Sequence, residues 1–281
     1  MATIFALRKK YLQTIPSLDA DLLLAHATKK PKEFVFTHPE YKLSLSQTLR
    51  FFYVLFEYRH GWSIAYITHH KEFFGLDFYV DRQVLVPRPD TEILVEEVLK
   101  TLPPTNIPIT LVDIGTGSGC IPIAIMKTFK NKNIKAIATD ISADALKIAQ
   151  KNARIYNVSI EFLHGNLLEP VMKLFESFPE NHQLVITANL PYLTNEQFRD
   201  EPSIKYEPYQ ALVADENGLK LYRLLLEQLK TTNQPFTAFF EFDSRQTEQL
   251  TKLTNTTLPS AKISIKKDLA LRDRLAVIHL N

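Results

Sequence analysis

From the start of the chain to about Lys71, apolar residues recur at intervals of three and four, as in LDADLLLAH (Leu18 to His26) and TLRFFYVLFEYRHGW (Thr48 to Trp62). That spacing predicts helices with one buried face. The aromatic cluster Phe51, Phe52, Tyr53, Phe56 and Tyr58 is expected to pack as core within this helical part. Near residue 75 the period changes. The alternating segment LDFYVDRQVLVPR (Leu76 to Arg88) predicts a hairpin. Beyond it, strand-like runs at Ile109 to Ile114, Ile134 to Thr139, Ser159 to His164, Gln183 to Ala188 and Phe236 to Phe242 alternate with helical stretches. One of these is Ala143 to Tyr156, with Ser142 placed to cap its first turn. Such alternation argues an α/β fold with a mostly parallel, doubly wound sheet. AKISIKK and RLAVIHL, joined by a short loop, are expected to add an antiparallel edge. The expected organisation is a small all-helical domain over 1–74, a hairpin linker over 75–87 and an α/β domain over 88–281.

A chain of 281 residues with 45% hydrophobic content is long enough to bury such a core. Net charge is only +2, which advertises no polyanion partner, and direct nucleic-acid binding is not expected. Residues 1–72 are mildly basic, with ten Lys and Arg against six Asp and Glu, so a solvated surface and a partner-binding face both remain open there. Cys120 stands alone and cannot form an internal disulfide, which favours a reducing compartment. The N-terminal order of apolar before basic residues is wrong for a secretory signal, and no apolar run reaches the roughly 20 residues of a membrane helix. The expectation is a cytoplasmic protein with no membrane contact.

Candidate chemistry begins with LVDIGTGSGC at the end of the first long strand. Its glycines let the backbone turn sharply and let a ligand approach the main chain. Cys120 stands where a dinucleotide fingerprint wants glycine, and with no basic partner beside it is read as a packed residue, not a nucleophile. The run Asp113, Gly115, Thr116, Gly117, Ser118, Gly119 instead resembles the acidic loop of class I S-adenosylmethionine-dependent methyltransferases. Asp140 ends the next strand about 20 residues beyond that loop, where a carboxylate can bind two ribose hydroxyls. Alone, the loop also reads as a tight strand-to-helix turn.

The tetrapeptide NLPY (Asn189 to Tyr192) follows the run QLVITA, on the carboxyl edge where open α/β sheets bind ligands. It resembles the [N/D]-P-P-[Y/F] motif of methyltransferases that act on planar nitrogens. An amide nitrogen is a poor nucleophile and has to be oriented by acceptors. The side chain of Asn189 and the main-chain carbonyl of Leu190 offer two, Pro191 stiffens the turn, and Tyr192 can stack on a flat group. In isolation the same four residues are an ordinary turn closing a strand.

Together with VPRPDTE, YEPYQAL and KDLALRDRLAV, these motifs make the whole chain resemble the protein-(glutamine-N5) methyltransferases of the HemK type. The resemblance implies a Rossmann-like class I methyltransferase fold, S-adenosyl-L-methionine as methyl donor, no metal, and a peptide chain release factor as partner, modified at the glutamine of its Gly-Gly-Gln motif. It also implies adenine contacts at Asn166 and Leu167 and a substrate-side place for Arg88, which otherwise reads as the start of a helix opened by Pro89 and Asp90. The helical domain would dock the substrate. This chain departs from the family in carrying Leu190 where proline is usual, and His69 and Asp243 near expected glycines. The adjacent His69 and His70 lack a third ligand at sensible spacing and read as surface loop. An adenine-N6 methyltransferase acting on RNA or DNA and a catalytically silent scaffold are the alternatives.

Overall fold

The computed structural model describes residues 2–11, 14–102, 107–129, 133–175, 182–232 and 234–281. They fall into two compact units, Met1–His70 and Lys71–Asn281.

The first unit is helical: α1 (Ile4–Tyr11), α2 (Ser17–Thr28), α3 (Lys32–Thr37), α4 (Leu45–Arg59) and α5 (Ile64–Thr68). Ile4, Leu23, Leu24, Val35, Leu43, Phe51 and Leu55 meet at its centre. At the start of α4 the Ser44 hydroxyl accepts from the Gln47 N–H, while the Gln47 side chain accepts from the Ser44 N–H. This reciprocal cap satisfies two donors that a helix start leaves unpaired. The aromatic cluster on α4 does not pack as one core. Phe51 is buried, but Phe52, Tyr53 and Phe56 are 42%, 62% and 60% exposed. The helix is apolar on two opposite faces: residues 51, 54 and 55 turn inward, whereas 45, 49, 52, 53 and 56 share the outer one. Spacing of three and four identifies each face but not which of them the rest of the fold covers.

The second unit opens with an antiparallel hairpin of β1 (Lys71–Phe73) and β2 (Leu76–Phe78). Its turn residues Phe74 and Gly75 both take positive φ, +52° and +69°, the geometry that matches strand twist in a two-residue turn. The hairpin therefore begins upstream of the alternating segment expected to form it and takes in only that segment's first three residues. Residues 79–88 form no strand; their backbone is held by side chains instead. Tyr79 N–H donates to Asn152 Oδ1 at 2.9 Å, and Val86 N–H donates to the Glu207 carboxylate at 3.2 Å. Alternate burial of Phe78, Val80, Val84 and Val86 comes from packing, not from pairing.

Then follow α6 (Glu92–Thr101), β3 (Ile109–Ile114), α7 (Cys120–Thr128), β4 (Ile134–Asp140), α8 (Ala143–Tyr156), β5 (Ile160–His164), α9 (Met172–Phe175), β6 (Gln183–Ala188), α10 (Asn195–Asp200), α11 (Lys220–Lys230), β7 (Phe236–Glu241), α12 (Thr247–Thr257), β8 (Lys262–Lys267) and β9 (Asp273–Leu280). Ser142 caps α8 as expected, accepting from Ala145 N–H. The seven-stranded sheet runs β5-β4-β3-β6-β7-β9-β8, parallel up to β7, with β9 antiparallel between β7 and β8. All six residues of β3 are buried, which is why apolar residues occupy both of its faces and only Thr110 and Asp113 interrupt them. Chain order reverses between β3 and β6, the switch point outside which open α/β sheets leave a crevice.

Candidate active site

The crevice is a cavity of about 500 Å³, walled by the loops after β3, β4, β5 and β6 and by residues 83–88 and 208–215. Gly115 and Gly117 lie on its wall with φ of +68° and +54°, values that disfavour any side chain. A Cβ on Gly115 would stand 2.9 Å from Leu190 Cδ2, so the glycine loop and the NLPY turn are in contact. Over Gly117 there is open space, which leaves its backbone accessible to a ligand. Thr116 and Ser118 complete this stretch of wall.

Asp140 lines the cavity and holds the loop in place. Its Oδ2 accepts from Gly117 N–H and its Oδ1 from Ser142 N–H, each at 2.8 Å. Burial pushes its carboxyl up, and these main-chain donors work against that rise. Each oxygen keeps acceptor capacity beyond the one hydrogen bond it makes. Asn166 and Leu167 also reach the wall. Asn166 donates its amide to Glu169 Oε1 at 2.9 Å, and Leu167 has a φ of +52°, a strained conformation for a leucine, with its carbonyl accepting from Thr139.

Asn189, Leu190 and Pro191 line the same cavity. Asn189 Nδ2 donates to Thr91 Oγ1 at 3.1 Å, and among the described residues Oδ1 is left as the free end of the amide. Leu190 is 3% exposed and packs in the core. Arg88 lines the cavity as well, but its guanidinium is paired with Glu207, whose other oxygen accepts from Val86 N–H. This ion pair joins the segment before α6 to the YEPYQAL loop across 119 residues.

Three of the expected site residues stand off the wall. Asp113 is buried beneath the loop, with Thr187 Oγ1 donating to its Oδ1 at 2.6 Å, and loss of solvation pushes its carboxyl up to about 7. Gly119 caps the start of α7, where a Cβ would press on Ala149 and Ile123. Tyr192 turns its ring into the core; its hydroxyl donates to Glu241 Oε1 at 3.4 Å and its carbonyl accepts from Gln246 Nε2. Cys120 is buried and its thiol is pushed up to about 12 by that burial. Missing from the sequence reading are Thr91, Val84, Pro208 and Tyr209 on the wall and Glu241 behind it. The motifs containing them were visible, yet nothing local showed which side chains turn inward.

A glycine loop after β3, an acid after β4 and an Asn-x-Pro turn after β6, converging on one cavity of a seven-stranded sheet, define a class I methyltransferase. The PrmC N-terminal domain family matches residues 3–68 and the methyltransferase small domain family matches 89–187. A release factor glutamine methyltransferase of Enterococcus faecalis is 38% identical over 215 residues, 75% of this chain and 74% of its own. One from Bacillus anthracis is 30% identical over 260 residues, 91% of this chain and 89% of its own. This chain belongs to the release factor glutamine methyltransferase family. The catalytic domain of human METTL16, solved with an RNA hairpin, shares the fold at 17% identity and a TM-score of 0.54, over 73% of this chain and 76% of that one.

Proposed function

We propose that this enzyme methylates the side-chain amide nitrogen of a glutamine in a peptide chain release factor, with S-adenosylmethionine as donor. The observation that carries this reading is the meeting, in one cavity, of Asp140 and the glycine loop with the free Oδ1 of Asn189. The donor fits: open space over Gly117 admits it against the main chain, and Asp140 has acceptor capacity left for a diol. Bound there, S-adenosylmethionine supplies an electrophilic methyl on a sulfonium that is already a good leaving group. The protein's own part is positioning. Asn189 Oδ1 and the Leu190 carbonyl accept from a substrate NH2 group, which fixes the plane of the amide and leaves the nitrogen free to react. Arg88 and Glu207 hold the loops that frame the entrance.

Residues 1–74 are assigned to docking the protein substrate. The exposed face of α4, with Leu45, Leu49, Phe52, Tyr53 and Phe56, supports this, because a contiguous apolar face of that kind marks an interaction site. Residues 75–87 act as the linker and 88–281 as the catalytic domain. The protein is placed in the cytoplasm, a reading supported by its lone, reduced Cys120.

Labelled methyl transfer to purified release factor, ribosomal proteins and RNA, run side by side, tests the assignment. Transfer to the release factor alone is expected. Transfer to RNA alone would replace it with an adenine methyltransferase, and transfer to none of the three with a silent scaffold.

A further inference from the structure

A carboxamide that must present its oxygen to a substrate needs something to stop it turning over. The two ends of an asparagine side chain are nearly equal in shape, so only hydrogen-bond partners decide which faces outward. Asn189 is in this position, and behind it lie a buried hydroxyl and a buried carboxylate with an unpartnered oxygen.

The first link is the Thr91 hydroxyl, 2% exposed, which accepts from Asn189 Nδ2 at 3.1 Å. A hydroxyl that accepts there keeps its own proton to give elsewhere. Its neighbour is Glu241 at the end of β7, 1% exposed, whose carboxyl Thr91 draws toward the ionised form against the rise that burial causes. Glu241 Oε2 is buried without a hydrogen-bond partner among the described residues, an orphaned acceptor that the spare proton of the Thr91 hydroxyl can satisfy, while Oε1 accepts from the Tyr192 hydroxyl at 3.4 Å. The groups facing this carboxyl are Asp90 and Thr91 ahead of α6, Cys120 of α7, Tyr192 after β6, Tyr222 of α11 and Arg274 of β9. Arg274 carries the only positive charge among these six, and its attraction is outweighed by desolvation, so the carboxyl is pushed up to about 7.

We propose that Thr91 and Glu241 are positioning residues that fix the Asn189 amide with its oxygen toward the substrate; this rests on the glutamine-methylating reading above. An ionised Glu241 can only accept, so it draws the Thr91 proton. Thr91 must then accept from Asn189, and Asn189 must show NH2 inward and Oδ1 outward. A protonated or amide side chain at 241 can donate to Thr91 instead. The hydroxyl is then free to donate to Asn189, the amide reverses, and an NH2 meets the substrate NH2, where neither can accept.

Two measurements on the full chain test this. In side-chain amide NMR, with the Asn189 pair assigned by its loss in Asn189→Ala, the pair should move with one midpoint near neutral pH. Glu241→Gln should abolish that titration. Thr91→Val should displace the pair, and Thr91→Ser should restore it. In methyl transfer at pH 8, Glu241→Gln and Thr91→Val should each lose about 10-fold or more in kcat with cofactor affinity unchanged, while Thr91→Ser stays within about 3-fold. An Asn189 pair indifferent to Glu241→Gln and Thr91→Val overturns the inference, as does a pair that responds without any loss of kcat. The NMR arm needs no substrate. A wild-type enzyme with the expected titration but no transfer to release factor would therefore sink the substrate assignment and leave the relay standing.

Discussion

The main-chain N–H of Leu190 donates to the hydroxyl of Tyr222 at 3.2 Å, a bond between the turn after β6 and the first turn of α11. The same hydroxyl donates to the Glu241 carbonyl. Read from the sequence, Leu190 offers a carbonyl and proline would serve as well. In the fold its N–H and its side chain are both used. Leu190→Pro is expected to destabilise the protein by roughly 2–3 kcal/mol, from a lost bond to a buried hydroxyl and imperfect filling of the space beside Gly115. Urea titration measures it, with Leu190→Ala separating the packing loss from the hydrogen bond. An unchanged midpoint in Leu190→Pro would mean that the surroundings readjust without cost.

Asn189→Ala should leave S-adenosylmethionine affinity intact and lower methyl transfer by about 10² or more, since it removes an oriented acceptor from the reacting group. Calorimetry and single-turnover kinetics check the two halves. Wild-type transfer by this variant would remove NLPY from the mechanism.

Asp140→Ala should weaken donor binding by roughly 1–3 kcal/mol. Part of that loss is indirect, because Asp140 also anchors Gly117 N–H and Ser142 N–H. Calorimetry again decides, and an unaltered affinity would place the ribose elsewhere.

Stability should depend on pH in an unusual direction. Asp113 and Glu241 are pushed up from ordinary values of 3.8 and 4.5 to about 7 by burial. Between about pH 4.5 and 7 the native protein therefore binds more protons than the unfolded chain, so stability falls as pH rises through that window. The two groups are worth up to roughly 4 kcal/mol for Asp113 and roughly 3 kcal/mol for Glu241. Glu241→Gln should raise the unfolding midpoint above wild type at pH 8 and flatten the slope across the window. A wild-type stability that climbs from pH 5 to 8 would contradict this.

The outer face of α4 should matter to the partner and not to the fold. Tyr53→Ser with Phe56→Ser changes two side chains 62% and 60% exposed, so Tm should move little. Turnover of whole release factor should drop several-fold, with transfer to a concentrated Gly-Gly-Gln peptide unchanged. Equal losses on both substrates would assign the face another role.

The sequence by itself determined the order and kind of the elements, because burial on both faces of a central strand or on one face of a helix writes a period into the chain. Ile109–Ile114 and Gln183–Ala188 were legible to the residue. It also placed the glycine loop, Asp140 and Asn189 at strand ends, and strand ends in a parallel sheet share one edge. Tertiary structure decided what no period records. It set the hairpin at 71–78, where two positive-φ residues allow the turn, and left 79–88 held by Asn152 and Glu207. It chose which apolar face of α4 is covered. It turned Tyr192 away from the cavity and set Thr91 and Glu241 behind Asn189, 98 residues apart in the first case. Direction of a side chain depends on partners brought from distant segments, and those partners meet only when the sheet is assembled.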